Sequence, residues 1–191
     1  MTSDTPRIPL ADPATLTGRL AKIHQLSPTG KLDVFRLMTV APACAEPYLR
    51  YMQATVADLG ITQVERELVV LAVAALEGGS YIWAQHCQIG TSIGIDQPRL
   101  DALGDGFTEQ GPFDDREWAL LDFVRGVIRD VRVSDARFAA TRAHFTPQQI
   151  VEIIYLAGAY MTLVRLTEVA ELPVDQLLGD QVFNYATSLR K

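Results

Sequence analysis

Residues 65–95 read ERELVVLAVAALEGGSYIWAQHCQIGTSIGI, and this stretch decides the fold. Leu68, Val69, Leu71, Ala72, Val73, Ala75 and Leu76 make its first half apolar nearly all round, which predicts a buried helix. Gly78-Gly79 breaks that helix, and Ser80 offers an N-cap for a second one carrying Tyr81, Trp83, His86 and Cys87. The second helix ends at Gly94. Upstream, Thr62-Gln63-Val64-Glu65 fits a capping box, in which the side chains of the first and last residue each satisfy the other's backbone N–H. The stretch is a helical hairpin. No other segment sets so many chemically capable side chains beside a tight turn.

Outward from the hairpin the chain keeps helical periodicity. On the N-terminal side, Leu16, Leu20 and Ile23 place a helix over Pro13–Gln25, and Asp33 to Val40 forms a short one stopped by Ala41-Pro42. Tyr48, Met52, Val56 and Leu59 share one face of a helix from Ala45 to Leu59. On the C-terminal side, short helices follow Asp96 and Ser134, and a longer one runs from the charged cluster at 114–117 to Val131. Thr146-Pro147-Gln148-Gln149 is a second capping box, with proline at the first helical position, and opens the longest apolar helix, Ile150 to about Ala170. No alternating strand pattern of useful length occurs. The expected fold is therefore all-α: an arm and short helix over residues 1–30, one helical domain over 31–175 centred on the hairpin, and a tail over 176–191.

Composition narrows the function classes. With 191 residues, 48% hydrophobic and 21% charged, the chain can bury a sizeable core. A net charge of −6 argues against a nucleic-acid or anionic-membrane surface. No apolar run is expected to approach the roughly 20 residues a membrane span needs, and the N-terminus lacks the pattern of a signal peptide, so a cytoplasmic protein is expected. Cys44 and Cys87 form neither a CxxC pair nor part of a ligand cluster, and His24, His86 and His144 are scattered. Neither a metal site nor a cofactor is expected.

His86 is the candidate general acid or base, with Ile82 and Ile89 beside it on the helix. Taken alone, such a histidine reads as a core residue; Tyr81, Trp83, the glycine turn and Glu67 on the preceding helix give it chemical company. A carboxylate near an imidazole raises its pKa and burial lowers it, which together set it for proton transfer. Glu67 and His86 lie ten and six residues from the turn. At 1.5 Å per residue those distances are about 15 and 9 Å, an offset of about one helical turn in an ideal antiparallel pair. Contact then needs a crossing angle, a water or a neighbouring subunit. An ion pair from Glu67 to Arg66 or Arg165 is the plainer alternative. In the long second helix, Tyr160 and Arg165 are candidate pocket residues beside Tyr81 and Trp83, with helical core packing as the plainer role.

Arg66-Glu67-Leu68, then Tyr81-x-Trp83-x-x-His86, then Gly94-Ile95, resembles the carboxymuconolactone decarboxylase family, which includes the alkylhydroperoxidase D-like proteins. The resemblance runs from about Leu32 to Asp175. It implies an all-α helical bundle, assembly as trimers or hexamers, His86 and Glu67 as the catalytic pair, and a small-molecule substrate bound near Tyr81, Trp83, Tyr160 and Arg165. The chain also departs from the family. The redox branch carries a CxxC pair that would fall at Gly79 and Ile82, so peroxidase activity, which needs an acidic thiol and a resolving partner, is not expected. In the decarboxylase branch two turn glutamates stand where this chain has Ser80 and Ile82. Three readings follow: a cofactor-independent acid–base enzyme, a decarboxylase or related lyase or isomerase, on a small lactone or carboxylated metabolite; a non-catalytic binding or assembly module on the same scaffold; and, a distant third, a thiol-dependent peroxidase-type antioxidant using Cys87.

Overall fold

The structure is a computed structural model and describes residues 5–57, 59–179 and 181. Its centre is the helix opened by the first capping box. Thr62 Oγ1 accepts from the Glu65 amide at 3.1 Å, and Glu65 Oε2 accepts from the Thr62 amide at 2.7 Å. Nine helices, α1 to α9, occur among the described residues, with no strand. The capped helix, α4, spans Gln63–Glu77 and buries every residue from Glu65 to Ala74. It ends on Gly78, whose φ of 70° is the left-handed conformation a side chain would resist.

Helices α5 (Ser80–Ser92), α7 (Asp115–Arg129) and α9 (Pro147–Val169) pack around α4 and close the main core. Each of α7 and α9 starts from its own capping box, at Asp114/Glu117 and Thr146/Gln149. Helices α6 (Gln97–Gly104) and α8 (Asp135–Arg142) fill in behind them, against α4 and against α7 and α9. A second layer comes from α1 (Gly18–Leu26), α2 (Asp33–Thr39) and α3 (Pro42–Ala57). Leu20, Phe35 and Ala45 tie this layer together in a small core of their own.

Several boundaries differ from the sequence expectation. The helix expected over 13–25 is two pieces, a 3₁₀ turn at Pro13–Thr15 and α1 from Gly18. Asp12 caps the first piece at the Ala14 amide, Leu16 is extended, and Gly18 takes a left-handed φ of 56°, so the chain turns before it can propagate a helix. Helix α3 begins at Pro42, not Ala45, because proline suits a first helical turn where no amide partner is needed. Ser80 is the first residue of α5 and Gly79 its N-cap. The cap is supplied from α9: Glu168 Oε1 accepts from both the Ser80 amide, at 2.7 Å, and its hydroxyl, at 2.8 Å. A carboxylate there is favoured by the helix dipole.

One expectation is corrected. Helix α9, 23 residues long, is long and apolar enough to cross a membrane by length and composition. Half of its apolar window is buried in the protein, because it serves as a core helix. Its outward side carries Val151, Ile154, Tyr155 and Val169, an exposed apolar stripe.

Candidate functional site

Glu67 and His86 meet within one subunit. His86 Nδ1 lies 2.7 Å from Glu67 Oε2, and the Glu67 side chain is wholly buried. An ideal antiparallel hairpin leaves the two about a turn apart, so α4 and α5 must cross to bring them together. The other carboxylate oxygen, Oε1, pairs with Arg66 Nη2 at 2.5 Å. Consecutive helix residues do not normally face one another, and the length of the Arg66 side chain closes the gap. The Arg66 charge also acts on the Tyr160 phenol, and the Tyr160 ring stands edge-on to His86 with centroids 5.1 Å apart. The result is a buried chain of groups, Tyr160–Arg66–Glu67–His86, built from three helices.

Electrostatics fixes the protonation of Glu67 and Tyr160. Burial alone works to raise the Glu67 pKa; the charges and hydrogen bonds of His86 and Arg66 outweigh it and hold the carboxyl below its usual value of 4.5. Glu67 is therefore an anion at neutral pH. Burial, the largest influence, pushes the Tyr160 phenol well above its ordinary range, and it stays protonated. With an anion at Nδ1, the neutral imidazole keeps its proton on that nitrogen, leaving Nε2 as the atom able to accept one.

His86 lines a cavity of about 460 Å³ between the α1–α3 layer and α5 and α9. Tyr81, Ile82 and Tyr160 share the wall, together with Phe35 and Leu163. Tyr81, 1% exposed, donates to Asp175 Oδ1 at 2.7 Å. The same carboxylate accepts from the Asp33 amide at 2.6 Å, so Asp175 fastens the segment after α9 to both α2 and α5. Gln85 adds to that attachment by donating to the Gln176 carbonyl at 2.8 Å, and Leu178 reaches the cavity.

Of the residues singled out from the sequence, Glu67, His86, Tyr81 and Tyr160 come together here. Trp83 and Arg165 stand elsewhere. The Trp83 indole lies against Gly104 of α6, because it is on the side of α5 turned from the cavity. Arg165 is drawn outward into a bidentate pair with Glu77 at the end of α4, and its side chain is 58% exposed. Gln85 and Asp175 are additions. Gln85 was legible, since positions 81, 82, 85, 86 and 89 form the one buried face of α5; Asp175 carried no local signal.

Thiol chemistry finds little support in the geometry. Burial pushes the Cys87 thiol up to about 11, and Cys44 is exposed on a different helix. Gly79 faces Val164 so closely that an added Cβ would meet its two methyls at 2.7 and 3.0 Å. Gly79→Cys is accordingly expected to destabilise the fold by about 1–3 kcal/mol through overpacking. Chemical denaturation checks this, and a second substitution, Val164→Ala, should recover part of the loss; a Gly79→Cys midpoint equal to wild type would contradict it.

Comparison with known proteins gives a consistent result. Residues 42–108, from α3 past α6, match the carboxymuconolactone decarboxylase family. An alkylhydroperoxidase AhpD core structure, an uncharacterized peroxidase-related protein from Ralstonia eutropha JMP134, superposes with a TM-score of 0.76 at 22% identity, covering 93% of this chain and 95% of that one. A peroxidase-related protein from Silicibacter sp. TM1040 gives 0.74 at 18% identity, covering 91% and 93%. An Agrobacterium tumefaciens protein of unknown function gives 0.66 at 18%, covering 72% and 94%. No curated protein matches the sequence. Below 25% identity these structures speak for the fold; the motif match covers the hairpin that carries Glu67 and His86. Residues 42–108 are thus similar to the carboxymuconolactone decarboxylase family, and the chain has the all-α fold of the AhpD core structures.

Proposed function

We propose that the protein is a cofactor-independent acid–base enzyme, a decarboxylase or related lyase or isomerase, acting on a small molecule held against His86. The observation that carries this reading is the 2.7 Å contact between His86 Nδ1 and the buried Glu67 carboxylate beside an apolar cavity. His86 Nε2 takes a proton from substrate carbon; the imidazolium so formed is stabilised by Glu67 and returns the proton to another carbon. In the decarboxylating variant His86 enters as the imidazolium, Nε2 carrying a proton taken from solvent; the C–C bond breaks, carbon dioxide leaves, and the electron pair left on carbon takes that proton, leaving the neutral imidazole. An apolar wall favours that step by disfavouring the substrate carboxylate. Glu67 touches His86 and Arg66 but does not line the cavity, and is a positioning residue. The exposed stripe on α9 is the kind of surface a second copy covers, in keeping with the trimers or hexamers implied by the resemblance.

The test offers a panel of lactone and keto acids to wild type and to His86→Ala. Turnover by wild type that the variant loses is expected. Equal rates would remove His86 from the chemistry and leave the scaffold as a binding or assembly module.

A further inference from the structure

Among the described residues, the cavity is lined by charge of one sign only. The chain carries 23 Asp and Glu against 17 Lys and Arg, yet no carboxylate side chain among the described residues lines this space. Its two full charges are Arg19 and Lys22, both cations and both on α1. Together with Ile23 and Leu26 they occupy positions i, i+3, i+4 and i+7 of that helix, a single face turned to the cavity.

Polar and apolar groups are sorted by depth. Arg19, Lys22 and Gln53 are exposed, whereas Phe35, Tyr81 and Ile82 are 1–2% exposed. Arg19 Nη2 donates to Gln53 Oε1 at 2.9 Å, from α1 to α3. Its anchor is a neutral amide, so its charge is held in place at the rim and not cancelled there. Beside it Leu26 lines the cavity while 69% exposed, an apolar surface that an apolar ligand would cover.

The volume sets the size of that ligand. At roughly 30 Å³ for each water-sized group, 460 Å³ holds about 15 heavy atoms. A small polar metabolite would leave most of the apolar wall in contact with water.

We infer that the cavity binds a single-chain amphipathic carboxylate, its head at Arg19 and Lys22 and its hydrocarbon body along the apolar wall toward His86. This rests on the acid–base reading only in naming that reading's substrate class. The head is a recognition handle, and the carbon on which His86 works belongs to the body.

Calorimetric titration with decanoate, decanol and acetate tests it on the full-length protein. Decanoate is expected to bind at least about tenfold more tightly than either of the others, since two facing charges contribute on the order of one such factor. Rising sodium chloride should weaken decanoate and spare decanol. Arg19→Glu/Lys22→Glu changes two exposed positions outside the core and should weaken decanoate about tenfold, leaving decanol within about twofold. Equal affinity for decanoate and decanol, no effect of the charge reversal, or no binding by either would each overturn the inference. His86→Ala separates the two proposals. If it still binds decanoate but turns over the panel as wild type does, the acid–base reading fails and the binding site stands. If it abolishes turnover while decanoate neither binds nor competes, the binding site fails alone.

Discussion

Glu67→Ala is expected to destabilise the protein by about 3–5 kcal/mol, the cost of breaking a buried ion pair by removing one partner. Arg66 is 4% exposed and would lose this carboxylate with no water to replace it. Glu67→Gln keeps the shape and should cost less. The pH dependence separates the two contributions. The folded Glu67 pKa lies below 4.5, so its stabilising effect is complete above that value and disappears as pH falls through the folded pKa. Thermal melts from pH 7 to pH 3 should therefore fall more steeply for wild type than for Glu67→Gln below about pH 4.5. Parallel curves would mean that Glu67 is not held ionised by its neighbours.

The same Glu67→Gln protein is expected to lose roughly 10²–10⁴-fold in kcat on any panel acid the wild type turns over. A glutamine has one acceptor oxygen, and Arg66 takes it. The amide N–H then faces His86 Nδ1, which must become the acceptor, and the ring proton moves to Nε2. The nitrogen at the cavity now donates where it should accept. Glu67 does not line the cavity, so KM should change little. Nitrogen chemical shifts of His86 read the tautomer directly. A kcat near wild type, or an unchanged tautomer, would show that Glu67 does not orient the ring.

Much of the architecture was legible because it is written in local rules. The all-round apolar run of α4 and the boxes at Thr62 and Thr146 give the core helices by composition and capping alone. The Glu67–His86 spacing was legible too, but their contact was not. It depends on the crossing of α4 and α5, which is set by the packing of α4 against α7 and α9 as well. Arg165 misled for a related reason: helical spacing shows that it shares a helix with Tyr160, not that Glu77 captures it from the other side. The rim of the cavity was hidden further still. Arg19 and Lys22 are more than sixty residues from His86 in sequence, on a helix whose start is set by a left-handed glycine.

The contact between Gly79 and Val164 bears on what this scaffold can become. The two positions at which the resemblance would put a thiol pair are occupied by a glycine pressed against a valine and by Ile82, part of the cavity wall. Introducing a cysteine at 79 first overpacks the turn, and trimming Val164 first opens a void in the core; either order passes through a less stable intermediate. The changes are coupled, and neither is favoured until the other is present. Packing thus acts as a ratchet, and from this backbone disulfide chemistry takes simultaneous steps. Acid–base chemistry needs none of them, because its pair is already joined.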